Sequence, residues 1–225
     1  MANDRSGGRG LHRALWVLGT ALLLVALGGV LDAVVRSVAE SRLAADLRSS
    51  SSADRVTVSL HSTPFLLRLV AAGSVAGVAV SAEQVPTGSL TLERVDVSAN
   101  GVLVDRGALL FDQRLHVLSI ASADITAVVT PAELSSLLGR PVEIAGGSVR
   151  VQLGGRWVTL TLTVEQGHLL ALDAGGARLA SVDLATTGLL PSCPLVVATE
   201  ASRVTLSCHL EPVPESLLAT LSDVS

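Results

Sequence analysis

The sequence predicts an α+β protein in which an N-terminal transmembrane helix leads into an antiparallel β-sheet interrupted by short helices. Three observations carry that expectation. A long uncharged run follows three arginines near the N-terminus, apolar residues alternate with polar ones from Arg55 onward, and paired glycines punctuate the alternating segments. Almost half of the 225 residues are apolar and 16% are charged. That composition leaves ample chain to bury a core and is too hydrophobic for disorder.

The run from Ala14 to Leu31 contains no charged residue. As a helix rising 1.5 Å per residue it spans about 27 Å, close to the hydrocarbon thickness of a bilayer. Arg5, Arg9 and Arg13 precede it. The positive-inside rule therefore assigns residues 1–13 to a cytoplasmic tail, 14–31 to a single-pass signal anchor and 32–225 to an extracytoplasmic domain. Trp16 falls where an interfacial ring belongs. The competing expectation is a cleaved signal peptide and a secreted domain, with Ala26-Leu27-Gly28 as a weak cleavage site. Against cleavage, the run is longer than a usual signal-peptide core and no clear Ala-x-Ala site follows it.

Beyond the run, Leu31, Val34, Val35 and Val38 keep helical spacing, and Val35, Ala39, Leu43 and Leu47 extend a row at i+4, with Arg42 interrupting the stripe. A helix therefore continues to a polar link at Ser49 to Ser52 and packs one face on the domain. From Arg55 the period becomes two. Val56, Val58 and Leu60 alternate with polar residues, as do Val149, Val151 and Leu153, then Val158, Leu160, Leu162 and Val164, and finally Val204, Leu206 and Cys208. These are antiparallel strands with one wet face.

In Leu90, Leu92, Val95 and Val97 the inward phase slips between Glu93 and Arg94, which predicts a β-bulge and a bent strand. Asn100-Gly101 reads as a hairpin turn, and so do Gly146-Gly147, Gly154-Gly155 and Gly175-Gly176. Two short helices interrupt the strands. The first, Phe65 to Ala72, follows Thr63-Pro64 and stops at Gly73, with Phe65, Leu66 and Leu69 on one face. The second has Thr130 as N-cap, Pro131 at the first helical position, Glu133 completing a capping box and Gly139 as its stop; Leu134, Leu137 and Leu138 form its apolar face.

A formal net charge of −4 and the lack of a basic stripe with interleaved aromatics exclude a nucleic-acid partner. Every basic residue is Arg and none is Lys, a bias that GC-rich coding produces. His61, His116, His168 and His209 have no carboxylate or cysteine at metal-ligand spacing, and no Gly-x-Ser-x-Gly, Walker-type loop or His-Glu-x-x-His occurs. The expectation is a protein with no catalytic residue, no metal and no cofactor. Glu93, Asp96, Glu143 and Glu165 leave paired carboxylates open as an alternative.

Cys193 and Cys208 are the two cysteines of a domain expected in an oxidising compartment. If Leu195 to Ala198 pairs with Arg203 to Leu206 around Thr199 to Ser202, Cys193 lies opposite Cys208 and a disulfide forms. Two buried free thiols are the alternative.

At Pro64-Phe65-Leu66-Leu67-Arg68-Leu69 followed by Gly73, the chain resembles the LmeA family of actinobacterial phospholipid-binding envelope proteins. The order of features agrees as well: a hydrophobic N-terminal segment, a helix, a strand ending at Pro-Phe, an antiparallel sheet, the Thr130-Pro131-Ala132-Glu133-Leu134 helix, and a late Leu190-Pro191. Departures are Ser62-Thr63 where the family often has a glycine, Arg68 where Gln is common, and the cysteine pair. The resemblance covers roughly residues 31–212. It implies a tubular lipid-binding-like fold, a curled antiparallel β-sheet wrapped around helices, with phospholipid and membrane as partners and a role that supports lipoglycan or envelope assembly. With two Phe, two Trp and no Tyr, small aliphatic side chains leave room for acyl chains, which gain about 0.8 kcal/mol per buried methylene. Phe65, Leu66, Leu69, Leu134, Leu137 and Leu138 are the expected lipid-lining residues. A closed aliphatic core, making a scaffolding domain, and an envelope enzyme acting on lipid-linked sugar are the alternatives; no protein partner is identifiable.

Overall fold

The computed structural model describes residues 8–87, 90–108, 116–184 and 193–215, with side chains from Gly28 onward, Ser50 and Ser51 apart. One helix, α1 (Gly8–Ser51), contains both the apolar run and its continuation. The side chains of 14–27, and with them Trp16 and most of the expected span, lie outside the described residues, as does Leu190-Pro191. Among the described residues no helix is long and apolar enough to cross a membrane.

The strands form two antiparallel sheets where the family resemblance implies a single curled one. The first contains β1 (Arg55–His61), β2 (Ser74–Thr87), β3 (Leu90–Val104), β4 (Val117–Val129), β10 (Val196–Thr199) and β11 (Val204–Leu210), in the order β1-β2-β3-β4-β11-β10. The second runs in sequence order through β5 (Val142–Ala145), β6 (Ser148–Leu153), β7 (Arg156–Glu165), β8 (His168–Leu172) and β9 (Arg178–Asp183). Among the described residues both sheets are open, and neither is a closed barrel. In β7 the first half pairs with β6 and the second half with β8, which splits the smaller sheet into two staggered parts.

Helix α2 (Phe65–Ala72) lies between β1 and β2, and α3 (Pro131–Leu138) between β4 and β5. Thr130 caps α3 by accepting the Glu133 N–H through its hydroxyl, Pro131 sits in the first turn, and Gly139 ends the helix in the left-handed region. Leu134 of α3 enters the main core, which draws Leu92, Val95, Ala127 and Leu206 from the larger sheet and Val149, Val151, Leu169 and Val182 from the smaller. The period-two pattern produced this arrangement: the inward residues of each sheet bury each other, while Thr159 and Thr161 remain exposed.

Two expectations about β3 also need correction. The inward phase of β3 does change between Leu92 and Val95, but no residue is inserted. Its partner β2 changes with it, the pairs Val85↔Leu92 and Glu83↔Arg94 keep one register, and Gln84 adopts φ 53°. The expected bulge is therefore a kink shared by two paired strands; β3 shifts register only against β4, at Leu103/Val104. Asn100-Gly101 makes no hairpin either. It lies inside β3, where Gly101 has φ 63° and a Cβ there would come within 2.7 Å of the Ala121 Cβ. The close approach of β4 requires a glycine in mid-strand. The pairs Gly146-Gly147 and Gly154-Gly155 do turn β5 into β6 and β6 into β7, and Gly175-Gly176 lies in the β8–β9 loop.

Cys193 and Cys208 form a disulfide with Cα atoms 6.3 Å apart. The strand register behind it differs from expectation. Thr199 faces Val204 and Ala198 faces Thr205, so the turn comprises Glu200 to Arg203 and is closed by the Glu200 N–H to the Arg203 carbonyl. Cys193 consequently lies beyond the β10 ladder and reaches Cys208 from outside it.

Candidate lipid-binding site

The part of α1 that follows the apolar run lies along β1 and is fastened by two carboxylates, Glu40 to β1 and Asp32 to α2. Glu40 Oε1 accepts the Leu60 N–H at 2.8 Å. Asp32 accepts the Phe65 N–H at 3.0 Å and the Leu66 N–H at 2.6 Å. The N-cap of α2 is Pro64, whose side chain has no oxygen and makes no capping bond. Asp32, distant in sequence, supplies the acceptor that the first-turn amides lack. Those two backbone hydrogen bonds, Leu66 first and Phe65 second, hold the Asp32 carboxyl below its ordinary value, with the Arg36 charge adding to the effect.

Asp32 and Glu40 are about 12 Å apart along α1, so β1 runs back toward the apolar run and places α2 beside its end. Register places the rest of that edge. His61 pairs with Gly77, Val75 with Val102 and Leu103 with Ser119, so the end of β1, the start of β2, the end of β3 and the start of β4 all lie at the Asp32 end of the sheet.

Helix α2 has two apolar faces. Phe65, 5% exposed, packs inward with Leu60, Val75, Val102 and Val104, and half-buried Leu66 and Leu69 join Val35 and Ala39 of α1 around this small core. On the outer side Leu67 is 65% exposed and Val70 52% exposed. The helix stops at Gly73, with φ 60°, where a Cβ would lie 2.7 Å from Arg106 Cγ and 2.8 Å from the Val104 carbonyl. Arg106 in turn donates from Nη1 to the Ala71 carbonyl at 2.7 Å. Between these elements opens a cavity of about 540 Å³, walled by Val70, Gly73, Leu103 and Leu118 and edged by Asp105 and Arg106. Leu103 and Leu118 are themselves exposed, and so is Arg68 of α2.

The expected lining residues do not come together. Phe65, Leu66 and Leu69 belong to the small core at the α2 end, whereas Leu134 is 2% exposed in the main core with Leu137 and Leu138 packed against it. Sequence reasoning missed Asp32, Leu67, Val70, Leu103, Leu118 and Arg106. A signal was present for two of them: Phe65-Leu66-Leu67-Arg68-Leu69-Val70 is apolar almost all round, which an amphipathic surface helix is not.

The outer face of the larger sheet carries another, smaller depression. It measures about 220 Å³ and is walled by Ala79, Val80 and Val97 together with Thr57, Asp96 and Asp124. His209 Nδ1 lies 2.6 Å from Asp124 Oδ1 and its Nε2 3.4 Å from Glu211 Oε2. The Asp124 hydrogen bond, followed by the Glu211 one, raises the His209 pKa above its ordinary value. Among the candidate carboxylates Glu143 pairs with Arg150 at 3.7 Å. Among the described residues no group of three or more His, Cys, Asp or Glu side chains could hold a metal ion.

Fold and site define a class: a two-sheet antiparallel domain carrying, at the end where α1 joins it, an apolar helix and a cavity whose walls are aliphatic on one part and edged by Asp105 and Arg106 on another. The chain belongs to the LmeA-like phospholipid-binding family, whose model matches residues 30–220. Neither a curated protein nor a solved structure matches the chain significantly.

Proposed function

We propose that this chain is a membrane-anchored, extracytoplasmic phospholipid-binding protein that sequesters or transfers lipid in support of envelope assembly and performs no catalysis itself. Family membership supports phospholipid as the ligand. The observation that carries the location is the cavity at the α2 end, where Val70, Leu103 and Leu118 offer apolar walls and Arg106 offers a guanidinium to a phosphate. The apolar run 14–31 after three arginines supports retention as an anchor.

The test is mass spectrometry of lipid extracted from the full chain after extensive detergent washing. Phospholipid retained in near-stoichiometric amount, and depleted by Val70→Asp with Leu103→Asp, supports the proposal. Lipid no higher than in a detergent blank sinks it. N-terminal sequencing that finds a mature start near Gly29 would replace the anchored form with a secreted one. A scaffolding domain is the second reading, favoured by the tight main core in which Leu92, Leu134 and Leu206 are fully buried; the same lipid measurement separates the two.

A further inference from the structure

Four exposed apolar residues cluster at one end of a domain whose sheets bury most of their aliphatic side chains. Leu67 and Val70 come from α2, Leu103 from β3 and Leu118 from β4, and the last three share one cavity. Scattered exposed aliphatics need no explanation, but a contiguous group beside a cavity does. Their placement along α1 names the occupant. Asp32 is the first charged residue after the apolar run, and its carboxylate holds the first turn of α2. Because α1 is one unbroken helix, whatever surface the run enters passes next to α2. Val30, Leu31 and Val34 of α1, also exposed, extend the apolar surface from the run to the domain. Arg68 on α2 and Arg106 at the cavity edge, the latter beside Asp105, add basic groups to this apolar end, a combination that suits a helix lying at an anionic bilayer surface.

We infer that the α2 end of the domain rests on the outer surface of the bilayer holding the anchor, so that Leu67, Val70, Leu103 and Leu118 enter the headgroup region and the cavity opens directly toward lipid. The inference rests on the anchor reading. Its consequence is a route: an acyl chain reaches the cavity from the membrane without crossing water. The α3 end and the smaller sheet project away, up to about 46 Å along the length of β3.

The experiment uses the full chain, with the native disulfide kept oxidised, reconstituted in vesicles of phosphatidylcholine and phosphatidylglycerol. A single cysteine replaces Ala21, Leu67 or Thr159 and carries an environment-sensitive fluorophore, which is challenged with lipids spin-labelled at the headgroup or deep in the acyl chain. The inference expects the Leu67→Cys label to be quenched by headgroup-level spin labels several-fold more than the Thr159→Cys label, and the Ala21→Cys label to be quenched by deep ones. An unquenched Leu67→Cys label beside a quenched Ala21→Cys label overturns the inference and leaves the anchor standing. If neither is quenched, both fall. Replacing Arg68 and Arg106 together by Gln should reduce the Leu67→Cys quenching in anionic vesicles and leave the Ala21→Cys signal unchanged; undiminished quenching removes the arginines from the account.

Discussion

The carboxylate of Asp32 accepts the backbone N–H of Phe65 at 3.0 Å, joining the end of the N-terminal apolar run to the first residue of α2. The same carboxylate takes the Leu66 N–H at 2.6 Å. One side chain thereby caps a helix whose own N-cap residue is proline and fixes where the domain meets its N-terminal helix.

Asp32→Ala should lower the melting temperature and loosen α2, as the loss of a capping acceptor does. The pH dependence has a definite sign. Because folding lowers the Asp32 pKa, the stabilisation is present above the ordinary carboxylate pKa and is lost as pH falls through the lowered folded value. The difference in melting temperature between the wild type and Asp32→Ala should accordingly shrink on acidification. A difference that stays constant from neutral pH to about pH 2 would mean that the carboxylate does not cap α2.

The two faces of α2 should respond differently. Phe65→Ala empties a buried site and should cost about 3 to 5 kcal/mol in chemical denaturation, whereas Leu67→Ala, on the exposed side, should change stability by no more than about 0.5 kcal/mol. Equal costs at both positions would show that Leu67 is buried in the folded protein.

Local rules were legible in the sequence and long-range ones were not. Helix α2 was bounded by Pro64 and Gly73, and α3 by Thr130 and Gly139, because caps act within a turn of the residues they stop. Strand periods were legible for the same reason, at β1, β6, β7 and β11. The Asp32 cap was not, since it joins residues far apart in the chain and an isolated Asp carries no local sign of its partner. Asn100-Gly101 misled because the dipeptide that makes a tight turn also satisfies a strand crowded by Ala121. The Cys193 to Cys208 bond was anticipated on a register two residues out of step; a disulfide spans a range of Cα separations and tolerates that error. Residues of the cavity wall come from α2, β3 and β4, and only the sheet register brings them together.

Reduction of the Cys193–Cys208 disulfide releases a loop with a sequence separation of 15, and the loop-entropy model puts its contribution at about 3 kcal/mol. Reducing agent should lower the melting temperature, and Cys193→Ser with Cys208→Ser should reproduce the effect. Two reactive thiols in the denatured, unreduced protein would refute the bond.

His209 should make stability depend on pH in the opposite direction to Asp32. Its folded pKa is raised by Asp124 and Glu211, so its contribution is fully present below the ordinary histidine value, about 6.5, and is lost as pH rises through the raised one. His209→Gln should remove that slope. An NMR titration of the imidazole that gives an ordinary or lowered pKa would contradict the arrangement.

The central claim, that phospholipid occupies the α2 end of the domain, is tested most directly by photo-crosslinking the full chain in vesicles containing a phospholipid with a diazirine in its acyl chain, then mapping the adducts by peptide mass spectrometry. The account predicts adducts on α2 at Leu67 or Val70 and on the cavity wall at Leu103 or Leu118, with none on the exposed face of β7. Adducts confined to residues 14–31, or spread over β7 as densely as over α2, would contradict it.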